Sequence, residues 1–188
     1  STLVGTGCAV KAAKLLLGGD SRTLRERPKG SPPSSPGRPG ILLLALDGVD
    51  RQLLYDVLRD GEMPALARLL GGAGGRFAHA YFDEDFISTL PSSTMVAWVT
   101  ALTGVAPATH GIAGNEFFVR EQRLFAAPVP VTIADNGPVI ACYTDDYLNN
   151  LVLAPTVYER MRERDPHVLI WVAMHQMYRG ADRLLSVD

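Results

Sequence analysis

Short, continuous runs of apolar residues predict buried strands in this chain. Residues 41–46 read ILLLAL, residues 139–143 read VIACY, and residues 168–174 read VLIWVAM. Apolar runs of about four to eight residues without alternation are typical of strands that are covered on both faces, as in a parallel sheet. The pattern therefore predicts a mostly parallel central sheet that contains these strands.

Apolar residues at helical spacing, with start and stop signals, predict helices between the strands. Residues 51–59 follow an aspartate and carry their leucines and valine on one face. An apolar segment begins just after Thr94, and Gly104 ends it as a glycine past a helix C-terminus does. Thr156 and Glu159 form a capping-box pattern for a helix to about residue 164. The alternation of strands and helices predicts an α/β fold.

Composition divides the chain into three segments. Residues 1–17 are small and apolar with two lysines, residues 18–40 contain a basic run and a Pro/Gly/Ser-rich stretch, and residues 41–188 contain the predicted strands and helices. Proline and glycine at the density of residues 18–40 predict a solvated linker. Residues 1–17 are either an ordinary surface helix or the remnant of an export or anchoring segment. The second interpretation favours an exported or membrane-associated protein.

Bulk composition is compatible with a globular protein and excludes some function classes. The 188 residues are 47% hydrophobic, and this length suggests one domain. The formal net charge of −2 gives no electrostatic basis for binding a nucleic-acid polymer. No stretch of the sequence reaches the roughly 18 consecutive apolar residues of a membrane span. Cys8 and Cys142 form no metal-binding motif.

Hydroxyl residues cluster at the predicted start of the central apolar helix. Pro91, Ser92 and Ser93 form a turn and supply capping hydroxyls, so that Thr94 falls in the first turn. Free N–H groups and the helix dipole favour negative charge there. On the local pattern alone, a capping hydroxyl without chemistry is the commoner role for Thr94. The alternative is a nucleophile, which needs a neighbouring metal ion to stabilise its alkoxide.

Two further polar residues stand at positions where sites often form. Asp47 ends the first predicted strand, at the edge where open α/β sheets build their sites, although a turn aspartate is equally common. Asn115 follows Gly114 and is either a turn residue or a neutral donor that stabilises charge on a transferred group. Secondary candidates for substrate contact follow the last predicted strand: His175, Tyr178 and Arg179.

Residues 91–115 (PSSTMVAWVTALTGVAPATHGIAGN) resemble the nucleophile segment of the type I phosphodiesterase/nucleotide pyrophosphatase family, within the alkaline phosphatase superfamily. That segment has a threonine, an apolar residue, often a proline, Ala-Trp or Asn-His, Thr-Gly, a proline, His-Gly-Ile and an asparagine. The matching positions need no gap and are Thr94, Met95, Val96, Ala97-Trp98, Thr103-Gly104, Pro107, His110-Gly111-Ile112 and Asn115. Val96 departs from the pattern, since many relatives carry proline there. Thr89 precedes Leu90-Pro91 and is a competing local match, but it spoils the spacing to the later motifs.

The resemblance implies a three-layer α/β/α fold with a mostly parallel central sheet, as in alkaline phosphatase. It also implies a site with two divalent metal ions, which in this family are usually a zinc pair. Asp47 matches the family's first metal-ligand aspartate, Thr94 its nucleophile and a metal contact, and Asn115 the amide that donates to a phosphoryl oxygen. By the same resemblance, Thr94 attacks phosphorus in line and forms a phosphothreonine intermediate, whereas His110 is structural.

Other metal ligands of the family are absent from this sequence. The family uses an Asp-x-x-x-His and an Asp-His pair, and none of the four histidines follows an aspartate at either spacing. The resemblance covers roughly residues 40–185 and corresponds to the N-terminal half of the family's catalytic domain. We therefore expect a fragment that is inactive alone, with most metal ligands outside this chain.

Three functions remain open at this point. The first is a metal-dependent phosphodiesterase or nucleotide pyrophosphatase that acts on a small phosphodiester or nucleotide. The second is a phosphomonoesterase, or a phosphoryl or head-group transferase, of the same superfamily. The third is a non-catalytic α/β binding module. The two missing ligand patterns, if found beyond Asp188, would favour an enzyme over the binding module.

Overall fold

The computed structural model describes residues 22–26, 40–73, 76–83 and 85–185. The predicted N-terminal segment, residues 1–17, lies outside the described residues. The helices are α1 (Arg51–Arg59), α2 (Pro64–Leu69), α3 (Thr94–Thr103), α4 (Pro107–His110), α5 (Gly137–Thr144) and α6 (Val157–Arg164), with a 3₁₀ helix at Tyr147–Asn150. The strands are β1 (Arg22–Thr23), β2 (Gly72–Ala73), β3 (Arg76–Phe77), β4 (Phe117–Val119), β5 (Leu124–Ala126), β6 (Trp171–Val172) and β7 (Arg183–Leu184). Within the described ranges, no helix has the length and apolar character needed to cross a membrane.

The strands pair into small sheets. One three-stranded sheet has the order β1-β7-β6, in which β1 runs antiparallel and β6 parallel to β7. The pairs β2-β3 and β4-β5 are both antiparallel. The mixed α/β content predicted from the sequence is thus confirmed for the described residues. The three-layer arrangement around a larger parallel sheet stays a prediction.

Residues 37–87 form a compact unit of their own. Its helix α1 begins as predicted, because Asp50 accepts a hydrogen bond from Leu53 N at 2.8 Å through its side chain. Leu58 is the buried residue of this helix. The rings of Tyr55 and Phe77 each pack against Phe82, with centroid distances of 4.8 and 5.4 Å. These contacts form a small aromatic cluster in this unit.

The predicted strand at residues 41–46 is not formed. These residues belong to no helix or paired strand in the described part of the chain, and Ile41 is 86% exposed. A strand covered on both faces requires hydrogen-bonded neighbours and packing layers. The described strands of this unit, β2 and β3, pair with each other instead. The expectation of a buried strand before Asp47 is therefore wrong for this structure.

The second unit contains residues 88–185 together with residues 22–26. Its main core forms around α3, whose apolar side chains pack with those of α5 and of the connecting segments. The fully buried side chains of this core include Val96, Val99, Ile112, Val139, Leu148 and Met177. A second cluster surrounds the three-stranded sheet and includes Ile170, Val172 and Leu184. The two clusters bury part of the apolar runs at residues 139–143 and 168–174.

Helix α3 and the start of α6 follow the sequence prediction closely. Gly104 ends α3 with φ 71°, a left-handed conformation that glycine adopts without steric cost. Thr156 and Glu159 form the predicted capping box, since each side chain accepts a hydrogen bond from the other residue's backbone N–H. Local signals of this kind were therefore sufficient to position these two helices.

Two other predicted elements differ in the structure. Residues 139–143 were expected to be a strand but lie within α5, which begins with Gly137 and Pro138. A short apolar run does not distinguish a buried helix from a buried strand, and proline is favoured in the first turn of a helix. Within residues 168–174, only Trp171 and Val172 are in strand conformation.

Part of the predicted linker is ordered into the sheet. Arg22 and Thr23 form β1 and pair antiparallel with β7. The Arg22 guanidinium also lies 5.8 Å from the centroid of the Tyr178 ring. A segment rich in glycine, proline and arginine thus contributes an outer strand, which its composition did not predict.

Candidate functional site

Thr94 is the first helical residue of α3 and not its N-cap. Ser93 holds the N-cap position with an extended backbone (φ −78°, ψ 154°), and no side-chain capping bond is present there. The buried Ser93 Oγ has no hydrogen-bond partner among the described residues. The prediction that the hydroxyl of Ser93 caps this helix is therefore wrong, although Ser93 occupies the N-cap position. The first turn contains no acidic residue, so no local carboxylate offsets the positive end of the helix dipole beside Thr94.

The Asn115 side chain takes the capping role at this helix. Asn115 Oδ1 accepts a hydrogen bond from Met95 N at 2.9 Å, and that N–H has no partner within the helix. Because Met95 supplies a donor, the oxygen of the amide must face it, and Nδ2 with its two donors is on the other side of the group. The structure thus brings Asn115 against the residue that follows Thr94.

His110 is fully buried and serves the fold, in agreement with the implied structural role. Its Nδ1 accepts a hydrogen bond from Ile112 N at 3.2 Å, so the proton of the neutral ring is on Nε2. Nε2 lies 3.0 Å from Thr100 Oγ1 and donates to it. Burial lowers the pKa of His110 below 6.5 by disfavouring the charged ring. This histidine therefore links α3 to α4 in its neutral form.

We expect the free energy of unfolding to fall as the pH drops below about 6.5, and to fall less in His110→Asn. The unfolded chain takes up a proton near that pH, whereas burial lowers the pKa of His110 in the folded chain. The stabilisation is complete above the unfolded pKa and is lost as the pH falls through the folded pKa. Urea unfolding between pH 5 and 8 measures this dependence. Equal pH dependence in both proteins would contradict it.

Glu116 is a residue that sequence reasoning missed. Its Oε1 accepts hydrogen bonds from the backbone N–H groups of Val131, Thr132 and Ile133 at 2.6, 2.8 and 3.0 Å, and Oε2 accepts from the Thr132 hydroxyl. Partial burial by itself would raise the pKa of Glu116. The Thr132 hydroxyl and the three backbone donors outweigh that effect and lower the pKa to about 2. No local sequence pattern connects this carboxylate to a loop about 15 residues later.

Asp47 lies in the unit formed by residues 37–87, whereas Thr94 and Asn115 lie in the other unit. The Asp47 side chain is exposed, and its Oδ1 accepts a hydrogen bond from Gly48 N at 2.9 Å. Gly48 has φ 69°, a conformation that glycine adopts readily in turns. The local geometry is that of a turn aspartate, and the role of Asp47 as a metal ligand stays a prediction.

The implied metal site can be compared with the donors that the chain offers. The described residues contain no group of three or more histidine, cysteine, aspartate or glutamate side chains that could hold a metal ion. Asp47 and Thr94 provide a carboxylate and a hydroxyl, which are suitable oxygen donors for a divalent ion. Protein sites for zinc use about three or four ligands. Each of these two side chains is therefore a donor of a type that suits a divalent metal, but two donors are fewer than a zinc site requires.

Tyr178 and Arg179, which were considered for substrate contact, serve the fold instead. Tyr178 is buried, and its hydroxyl donates a hydrogen bond to Asp146 Oδ1. The guanidinium of Arg179 donates to the Glu159 carboxylate and to backbone carbonyls of residues 149–154. These hydrogen bonds engage the Tyr178 hydroxyl and the nitrogens of the Arg179 guanidinium, which are the atoms that would otherwise contact a substrate.

A family model described as Type I phosphodiesterase / nucleotide pyrophosphatase matches residues 41–170 of the 188 residues. The matched range contains Asp47, Thr94 and Asn115, as well as the whole of α3. No solved structure gives a significant match to the chain.

Proposed function

The chain belongs to the type I phosphodiesterase/nucleotide pyrophosphatase family, and from this premise we propose that the protein hydrolyses small phosphodiesters or nucleotide pyrophosphates with Thr94 as nucleophile. Family membership supports phosphoric ester hydrolysis in general. The metal dependence, the covalent intermediate and the roles of individual residues are parts of the proposal. So is the three-layer α/β/α arrangement, which we propose for the complete catalytic domain.

The observation that carries the proposal is the contact between Asn115 and the first turn of α3. The hydrogen bond from Met95 N to Asn115 Oδ1 fixes the amide next to the residue that follows Thr94. In the proposal, the amide nitrogen of the same group supplies N–H donors to the phosphoryl group that Thr94 attacks. A neutral donor held in place before the reaction stabilises negative charge on phosphoryl oxygens without reorganisation. A nucleophilic hydroxyl and an amide that binds the phosphoryl group must lie close together to act on one phosphorus, and this contact supports such an arrangement.

The proposed reaction has two displacements at phosphorus. In the first, a bond forms between Thr94 Oγ1 and phosphorus as the bond to the leaving alcohol or phosphate breaks, and the hydroxyl proton of Thr94 passes to water or to the leaving group. In the second, the oxygen of a water molecule bonds to the same phosphorus as the bond to Thr94 Oγ1 breaks, one proton of that water returns to Thr94, and the phosphomonoester product is released. Asn115 Nδ2 would donate to a non-bridging oxygen in both steps. The ester group that is not displaced in the first step stays on phosphorus throughout and is part of the phosphomonoester product.

Asp47 and Thr94 are the residues of this chain that we propose as ligands of the divalent ions, with further ligands outside the described residues. When bound, such ions supply positive charge that favours deprotonation of a hydroxyl and neutralises the phosphate. Zinc is the proposed metal, because it is the ion implied by the resemblance. The carboxylate and hydroxyl of the two residues are also compatible with magnesium.

Removal of metal is expected to lower hydrolysis of bis(4-nitrophenyl) phosphate by at least about 100-fold. The experiment uses the protein as isolated from its source, with metal content measured before and after chelation. About two ions per chain and recovery of activity after addition of Zn²⁺ are expected. Release of 4-nitrophenolate provides the rate.

The matched comparison is 4-nitrophenyl phosphate, a monoester with the same leaving group. Faster hydrolysis of the diester is expected from a phosphodiesterase. Preference for the monoester would instead favour the phosphomonoesterase alternative. Full activity of the metal-free protein would overturn the metal-dependent mechanism, and metal-loaded protein without any turnover would overturn the proposed enzyme.

A further inference from the structure

The Glu116 carboxylate binds one loop at several points. The loop of residues 129–133 directs three consecutive backbone N–H groups and one hydroxyl at this single side chain. A carboxylate that accepts several N–H bonds is held in one orientation, since each bond restricts a different direction. Glu116 therefore fixes the loop against the segment that carries Asn115.

The same loop also binds Asn115 directly. Val129 N donates to the backbone carbonyl of Asn115 at 3.2 Å. The backbone of Asn115 is thus tied to one end of the loop, and the next residue, Glu116, is tied to the other end. Together these bonds restrain both the position and the rotation of the Asn115 main chain.

The Asn115 side chain depends on that restraint. Its Oδ1 reaches Met95 N across 20 residues of sequence and has to remain within hydrogen-bond distance, at 2.9 Å. A displacement of the backbone by about 1 Å would break this bond or turn the amide, and displacements of this size in a catalytic group reduce rates by about 100-fold. The orientation of Nδ2 follows from the orientation of Oδ1, because both belong to one planar group.

We propose that Glu116 is the positioning residue for Asn115: by clamping the 129–133 loop it holds the Asn115 amide against the first turn of α3. The inference rests on the proposed function for the identity of the reaction that Asn115 assists. The geometric part, in which Glu116 maintains the contact between Asn115 and Met95, is independent of that reaction. A role limited to folding of the loop would leave this contact intact when Glu116 is replaced.

Amide hydrogen exchange at Met95, measured by NMR on the full chain, tests the geometric part. The Met95 N–H lies in the first helical turn and has no partner within the helix, so its protection reports on Asn115. Ala97 N donates to Ser93 O inside α3 and reports on the helix itself. In Glu116→Ala we expect faster exchange at Met95 and unchanged exchange at Ala97. Unchanged exchange at Met95 would overturn the proposal.

Glu116→Gln provides the conservative variant. All three backbone donors bind Oε1 in the present structure, and a glutamine retains an oxygen that is able to accept them. We therefore expect exchange at Met95 in Glu116→Gln to remain close to that of the unmodified protein. Glu121→Ala, in the exposed turn between β4 and β5, is the matched control for loss of a carboxylate. Faster Met95 exchange in this control would contradict a specific role for Glu116.

Kinetics of diester hydrolysis test the link to the reaction. We expect kcat to fall by about 10-fold or more in Glu116→Ala with little change in KM, because Asn115 acts mainly on charge that develops in the transition state. Glu116→Gln should recover most of kcat. Faster Met95 exchange without a change in kcat would overturn the catalytic part of the proposal. Absence of hydrolysis by the unmodified, metal-loaded protein would refute the proposed function alone, and the exchange data would still decide the clamp.

Discussion

Thr94→Ala is expected to lower hydrolysis of a bis-aryl phosphate diester by at least about 1,000-fold, because it removes the oxygen that forms the bond to phosphorus. Thr94 is the first helical residue of α3 and is only half-buried. Alanine is favourable in helices, so the variant should fold with little change in stability. The measurement is the initial rate with metal-loaded protein, together with urea unfolding of the same sample.

Thr94→Ser separates the hydroxyl from the methyl group. Serine retains the nucleophilic oxygen at the same helical position, and we expect it to recover most of the rate. Quenching during turnover should allow mass spectrometry to detect an aryl phosphate ester on the peptide that contains Thr94. This adduct should be absent from Thr94→Ala, since no oxygen is present to form it.

Two neighbouring hydroxyls provide matched controls. Ser93→Ala removes a buried hydroxyl that lacks a partner among the described residues, so its rate should stay within a few-fold of the original and its stability should not fall. Thr89→Ala tests the competing local match to the family segment. If Thr89→Ala loses activity and Thr94→Ala retains it, the alignment of the nucleophile was wrong. Full activity in all three variants would exclude Thr89, Ser93 and Thr94 as the nucleophile.

The parts of the fold that the sequence predicted are those with local causes. Helix α3 could be predicted from its apolar run and the glycine that ends it, and α6 from its capping box. In each case the responsible residues are within about three helical turns of each other. The contact between Asn115 and the first turn of α3 is not local, and only the resemblance to a family segment associated Asn115 with that turn.

The parts that the sequence mispredicted depend on distant neighbours. Residues 41–46 and 139–143 are apolar runs of similar length, yet the first is exposed and unpaired and the second is helical. Composition determines that such a run prefers burial, whereas its conformation depends on which elements pack against it. The clamp formed by Glu116 and the role of Arg179 likewise require contacts across 15 to 30 residues.

A polar network that the sequence did not reveal is centred on Arg179. Its Nε donates to both oxygens of Glu159 at 3.0 and 3.1 Å, and Nη1 and Nη2 donate to the carbonyls of Asn149, Val152 and Ala154 at 2.6–2.8 Å. The planar guanidinium thus joins the start of α6 to the segment that precedes it. Removal of the guanidinium would therefore leave these three carbonyls without this charged donor.

Arg179→Ala is expected to lower the free energy of unfolding by about 3 kcal/mol, since a charged donor with several partners is lost. With a urea m-value of about 2 kcal/mol/M, the unfolding midpoint would fall by about 1.5 M. Tryptophan fluorescence is a suitable probe, because Trp98 and Trp171 both lie in the unit that contains Arg179.

Two variants determine whether geometry or charge is responsible. Arg179→Lys keeps the charge but cannot reproduce the fork of N–H donors, so it should recover less than half of the lost stability. Arg160→Ala removes an exposed arginine from α6 and should change stability by no more than about 0.5 kcal/mol. A midpoint for Arg179→Ala close to that of Arg160→Ala would show that the network contributes little. Full recovery by lysine would assign its effect to charge alone, whereas partial recovery would show that the planar fork of N–H donors stabilises this part of the fold.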